Sequence, residues 1–128
     1  MYANGRSNES DEQMSIVATK SADVGKLIAL GNGAEIDDVY VTDDAEKPMS
    51  GGIFTVVAAD EPFVYTYKYH ELKVILEGEL CLEDRSTGIK ILAKAGDVIK
   101  IAKGTTVTFS SPSAGKAFYV GQRALRDF

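Results

Sequence analysis

The sequence predicts an all-β domain built as a barrel, jelly roll or sandwich. Short apolar segments rich in Val, Ile, Tyr and Phe recur along it, about eight to ten of them, each bounded by Gly, Pro, Asp or Ser. No stretch carries helical periodicity beyond a single turn. The longest apolar stretch alternates with period two, as a half-buried strand does. At 128 residues the chain is one domain by length, and about two-thirds of the unfolded surface can be buried at that size.

The elements follow in order. Residues 1–14 are rich in Asn, Ser, Asp, Glu and Gly and read as a flexible tail, with an arm docked on a second subunit as the alternative; the barrel domain is expected over 15–128. Residues 15–19 alternate as a short strand, and Ser21-Ala-Asp23 can cap one helical turn before Gly25. Residues 26–30 are apolar and close on the Gly31-Asn32-Gly33 turn. A β-rich run at 37–41 leads into a loop over 42–52, a strong strand over 53–58 and a turn at Pro62. Residues 63–76 form the longest β run. Glu77-Gly78 reads as a tight bend, 79–83 as a strand, 84–88 as a hairpin loop and 89–92 as its return. Turns at Gly96 and Gly104 bracket a strand over 98–101, and the last strands are 106–110 and 117–120, split by a loop at 111–115. Gly78, Gly96 and Gly104 are each expected at strand reversals.

Charge and composition exclude several partners. A formal charge of −5 argues against nucleic acid, and no apolar run of membrane-spanning length exists. The first residues lack the apolar core of a signal peptide. Cys81 is the single cysteine, so no intrachain disulfide forms, which fits a cytoplasmic setting; it is expected as a small core residue. One His and one Cys exclude a Cys/His zinc site. Asp37-Asp38 and Asp43-Asp44 read as a solvated loop, weak calcium binding being a remote option. Gly31-Asn32-Gly33 is not followed by Gly-Lys-Ser/Thr and is no phosphate loop.

The chemistry concentrates in one row. Alternation along 63–76 places Tyr65, Tyr67, Tyr69, Glu71, Lys73 and Ile75 on one face. If that face is interior, three phenols, an acid and an amine are buried together and must pair or face a wet pocket. The opposite face carries Thr66, Lys68, His70, Leu72 and Val74 and reads as half-exposed or an interface.

Two stretches carry a family resemblance. Residues 65–79 (YTYKYHELKVILEGE) and 95–104 (AGDVIKIAKG), the latter followed by 105–109, are similar to the two motifs of the cupins. Tyr69-His70-Glu71 running into Ile75-Leu-Glu-Gly78, then Gly96-Asp-Val-Ile through Gly104, then Phe118-Tyr-Val120, resembles the small EutQ-like cupins of ethanolamine utilisation over roughly residues 35–125. The resemblance implies a single cupin barrel of the jelly-roll, RmlC-like kind. In metal-binding cupins two His and a Glu come from the first motif and a third His from the second. Those positions fall here on Tyr65, Tyr67, Glu71 and Val107. One carboxylate does not hold a transition metal, so neither metal nor cofactor is expected.

The expected function is a small-molecule-binding cupin. One reading, which the resemblance implies, is a metal-independent acid–base enzyme, a lyase, dehydratase or isomerase, as some cupins that lost the histidines are. Glu71, Tyr69 and Lys73 would be catalytic, with Tyr65, Tyr67, Val107 and Phe109 lining the substrate site, because a buried carboxyl moves protons and phenols stabilise the charge left behind. The other is a non-catalytic EutQ-like accessory or binding module, which should show a closed barrel and a paired Glu71. Small cupins resemble one another in forming homodimers, and the apolar outward set Leu72 and Val74 points the same way. EutQ-like proteins are associated with microcompartments and an acetate-kinase-like activity. The missing phosphate loop and a tail unlike their longer N-terminal region keep both from being carried over.

Overall fold

The computed structural model of the protein describes residues 15–128; the tail expected over 1–14 lies outside the described residues. Among the described residues, nine strands form one continuous antiparallel sheet curled into a nearly closed barrel. They are β1 (Ile28–Gly31), β2 (Ala34–Val41), β3 (Ser50–Val57), β4 (Phe63–Thr66), β5 (Glu71–Asp84), β6 (Lys90–Lys94), β7 (Val98–Ile101), β8 (Thr106–Ser110) and β9 (Ala114–Gly121). The ladder runs β1-β2-β3-β9-β5-β8-β4, with β6 and β7 also on β5. The predicted all-β class is what the chain adopts. Ser21–Asp23 makes the predicted single turn, of the 3-10 type.

Several predicted elements shift, for identifiable reasons. Residues 15–19 form no strand, because no neighbouring strand pairs with them; Thr19 Oγ1 instead shares a 2.7 Å hydrogen bond with the Tyr40 hydroxyl. The loop over 42–52 ends early, since Ser50, Gly51 and Gly52 pair with Gly121, Val120 and Tyr119 and so open β3. Asp37 and Asp38 belong to β2 rather than to a solvated loop.

The long run at 63–76 is broken at a corner. There the backbone leaves the ladder: Tyr67 N–H donates to Thr105 C=O, Gly104 N–H to Tyr67 C=O, and Gln122 N–H to His70 C=O. The corner hands the chain from β4, which pairs β8, to β5, which pairs β9 and β7. Alternation nonetheless survives it: Tyr67, Tyr69, Glu71 and Lys73 are buried while Lys68, His70 and Leu72 are exposed.

Gly78 is not a strand reversal. It lies inside the 14-residue β5, just past a bulge between Ile75 and Glu77. With φ at +68° and Ala114 C=O 2.1 Å from where a Cβ would sit, only glycine fits. The first half of β5 pairs β9 and β7; beyond Gly78 it pairs β8 and β6. The bulge also flips side-chain parity. Before it Glu71, Lys73 and Ile75 point inward, and after it Leu80 and Leu82 do. Cys81 therefore lies half-buried on the outer face opposite Leu92, not in the core. Gly96 is no reversal either, because β6 and β7 run in the same sense along β5. Gly96 and Gly104 sit in turns, closed by Asp97 N–H to Lys94 C=O and by Thr105 N–H to Ala102 C=O, but β7 and β8 likewise run in the same sense along β5, so Gly104 is no reversal either.

The core fills the barrel with Phe54, Val56, Ile75, Leu80, Phe109 and Tyr119 among its most buried members. Two buried acids, Glu71 and Asp38, share that interior.

Candidate functional site

A cavity of about 240 Å³ opens at one end of the barrel. Its floor is formed by Glu71 and Lys73, 3% exposed each. Phe54, Tyr67, Tyr69 and Phe109 form its wall, and the partly buried Leu30, Phe63, Tyr65 and Phe128 its rim. Both floor residues come from the start of β5, where the corner at 67–70 swings the tyrosines over them.

The polar groups are tightly interlocked. Tyr67 O–H donates to Glu71 Oε2 at 2.7 Å, and Lys73 Nζ lies 3.2 Å from the same oxygen. Both contacts fall on the one carboxylate oxygen, Oε2. The Tyr65 and Tyr69 hydroxyls share a 3.0 Å hydrogen bond nearer the mouth. Edge-to-face packing fixes the rings: Tyr65 and Tyr67 have centroids 4.8 Å apart at 86°, and Tyr67 and Tyr69 5.4 Å apart at 73°. Lys73 Nζ stands 4.3 Å from the Phe54 centroid and 5.4 Å from those of Phe109 and Tyr119, within cation–π range.

Burial shapes the titration of this cluster. It pushes the Lys73 ammonium below its ordinary value, against the pull of Glu71. Burial, with the Glu71 charge second, pushes Tyr67 well above the usual phenol range. Tyr69 is raised by burial and then by its bond to Tyr65. Proton traffic near neutral pH therefore does not run through ionised phenols here; they act as hydrogen-bond donors.

The structure brings Tyr65, Tyr67, Tyr69, Glu71, Lys73 and Phe109 to one cavity. Val107 is not part of it. It shares the inward face of β8 with Phe109 but lies two residues further along, and it contributes instead to a separate pocket with Leu82, Ile99 and Ile101. His70 faces outward as expected, its Nδ1 accepting the Lys103 backbone N–H at 3.1 Å. Among the described residues no cluster of three or more His, Cys, Asp or Glu could hold a metal ion.

Sequence reasoning missed a second buried pair. Asp38 accepts from Arg123 Nη1 at 2.7 Å and Nη2 at 2.9 Å, from the Arg126 backbone N–H at 2.6 Å and from the Tyr119 hydroxyl at 2.5 Å. Burial opposes its charge, but these bonds hold its carboxyl below the ordinary range. The signal was available: alternation from Ala34 and Ile36 puts Asp38 on the inward face. Gly52 opposite it leaves the space, since a Cβ there would lie 2.5 Å from the Tyr119 hydroxyl.

Comparison with known proteins gives a consistent family. The profile described as "Ethanolamine utilisation protein EutQ" matches residues 6–125. A protein of Escherichia coli named "Acetate kinase EutQ" is 39% identical over 93 residues, 70% of this chain and 38% of that protein. The chain thus spans well under half the length of the curated relatives it matches. The crystal structure of an ethanolamine-utilisation protein Q from Salmonella typhimurium superposes with a TM-score of 0.69 at 28% identity, covering 82% of this chain and 84% of that one. An RmlC-like cupin from Shewanella frigidimarina gives 0.64 at 16% identity over 80% and 87% of the two chains, a likeness of fold.

Proposed function

Since this chain belongs to the EutQ family, we propose that it is a small-molecule-binding cupin that serves ethanolamine utilisation as an accessory or binding module. One observation carries the reading: the buried carboxylate at the floor of a 240 Å³ aromatic cavity is already engaged, its Oε2 held by the Tyr67 hydroxyl and the Lys73 ammonium. The apolar wall suits the body of a small ligand, and the floor supplies one acceptor and, through Tyr65 and Tyr69, hydroxyl donors at the mouth. Glu71 and Lys73 carry opposite charges, so the ligand that fits is uncharged overall.

A second reading is metal-independent acid–base catalysis of the lyase, dehydratase or isomerase kind, with Glu71 moving the proton. The opening of the cavity onto Glu71 favours it, while the Tyr67 and Lys73 bonds to Oε2 favour the module. The kinase name of the E. coli relative is not extended to this chain, whose sequence has no Gly-Lys-Ser/Thr loop.

Binding of small hydroxy and carbonyl compounds, followed by calorimetry in wild type and Glu71→Gln, tests the proposal. Loss of binding in a folded variant supports it, and unchanged binding shows Glu71 to be structural. A compound turned over by wild type alone would move the assignment to the enzyme.

The partner we propose is a second copy of this chain in the cytoplasm. Leu72 (51% exposed), Val98 (75%) and Phe118 (42%) lie on the adjoining outer faces of β5, β7 and β9. An apolar face of that kind suits an isologous contact. Among the described residues no helix is long and apolar enough to cross a membrane.

A further inference from the structure

Lys73 is buried on the cavity floor, whereas Lys68, Lys100 and Lys103 are exposed. Its amine is flanked by Glu71 Oε2 at 3.2 Å and capped by Phe54 at 4.3 Å. As an ion pair this arrangement gives little net stability, because desolvating both charges offsets their attraction. As a reactive site it is well equipped: a buried lysine among the residues that line a largely aromatic cavity, with a carboxylate 3.2 Å from its amine.

We propose that Lys73 captures a small aldehyde or ketone in this cavity as a covalent iminium. The inference rests on the reading that the cavity admits a small uncharged molecule, and it names the class of that molecule. The steps balance without any oxidant or reductant. The Lys73 ammonium passes a proton to Glu71. The free amine adds to the carbonyl carbon, forming a C–N bond as the C=O π bond breaks, and a proton moves from nitrogen to oxygen. Glu71 then protonates the departing hydroxyl, and water leaves. Ammonium and carbonyl have become iminium and water, and Glu71 is again a carboxylate.

Two features favour this outcome over a passive ion pair. The iminium keeps the single positive charge of the ammonium, so Glu71 and the face of Phe54 keep their cation. Bound carbonyl substituents would lie against Phe109 and Tyr67, where apolar contact favours them over water. Burial also disfavours the protonated amine, which raises the fraction of nucleophile near neutrality.

The test treats wild-type protein with butanal and cyanoborohydride at neutral pH and maps the reduced adducts by peptide mass spectrometry. Lys73 is expected to label about tenfold faster than the exposed Lys100 and Lys103, as desolvated amines do. Prior loading with excess acetone, a competing carbonyl, should slow Lys73 alone. Lys73→Arg, which keeps the charge and cannot form an imine, should lose the fast-labelling site. If that variant does not fold, the wild-type map still decides. Labelling of Lys73 no faster than of the exposed lysines overturns the proposal. Butanal that shifts the Phe54 and Tyr67 resonances without labelling Lys73 overturns it too, while leaving the binding function standing. A failure of that function would show no shift at all.

Discussion

Two carboxylates are buried in this barrel to nearly the same degree, Glu71 at 3% and Asp38 at 4% exposure, each beside a cation and a tyrosine. They differ in saturation. Asp38 receives four hydrogen bonds, two on each oxygen, from a forked guanidinium, a phenol and a backbone amide. Glu71 receives its bonds on Oε2 from one phenol and one ammonium, and faces a cavity. A buried acid with every lone pair filled locks structure; one that lines a cavity is available to a ligand. Arg123 extends the first cluster: its guanidinium carbon lies 5.1 Å from the ring centroids of Tyr69 and Phe128, so the locked pair also braces the cavity rim.

The largest break in this contrast should come from Arg123→Met. It strands the Asp38 charge, and a loss of about 3–5 kcal/mol in urea unfolding is expected. Glu71→Gln should cost less, about 1–2 kcal/mol, because Gln still accepts from Tyr67 and Lys73 can shed its proton. Equal losses at the two sites would erase the distinction.

The pH dependence separates the clusters further. The Asp38 carboxyl is held below its ordinary 3.8, so its contribution is complete above that pH and is lost as pH falls through the lowered value. Lys73 sits below its ordinary 10.5, so its ionisation makes stability rise as pH climbs toward 10.5. Tyr67 sits above 10.0, and its neutral phenol contributes fully below 10.0 and is lost as pH rises to its own higher value. A near-ultraviolet titration of tyrosine should show Tyr67, Tyr69 and Tyr119 silent until the protein unfolds. Full ionisation of all six tyrosines in the folded state would contradict the burial of the cluster.

The smallest effect on stability is expected at the outer face. Val98→Lys should change unfolding by less than about 0.5 kcal/mol, as exposed positions do, yet weaken self-association in sedimentation. An unchanged species distribution would remove this face as the dimer contact.

How far the sequence showed this site follows from where its regularities break. Period-two alternation carries through the corner at 67–70, so Tyr67, Tyr69, Glu71 and Lys73 were legible as one inward row. The bulge at Ile75–Glu77 has no sequence marker beyond Gly78. It reverses parity and put Cys81 on the wrong face. Asp38 was hidden by its likeness to the acidic loop at Asp43-Asp44, although its own strand placed it inward. Arg123 and Phe128 lie past the last strand, where no periodicity exists to read. What brings Arg123 to the barrel is long-range pairing with Asp38, 85 positions away, and Phe128 packs against its guanidinium.

The central claim is that the cavity over Glu71 receives a ligand while the Asp38 cluster holds the fold. Side-chain resonances of Phe54, Tyr67 and Phe109, followed while small hydroxy and carbonyl compounds are titrated into wild type and Glu71→Gln, test it most directly. The account expects at least one compound to shift these rings in wild type, and the shift to vanish in a Glu71→Gln protein whose Asp38 and Tyr119 signals are undisturbed. Shifts that persist unchanged in Glu71→Gln, or a wild-type cavity that no compound enters, would contradict it.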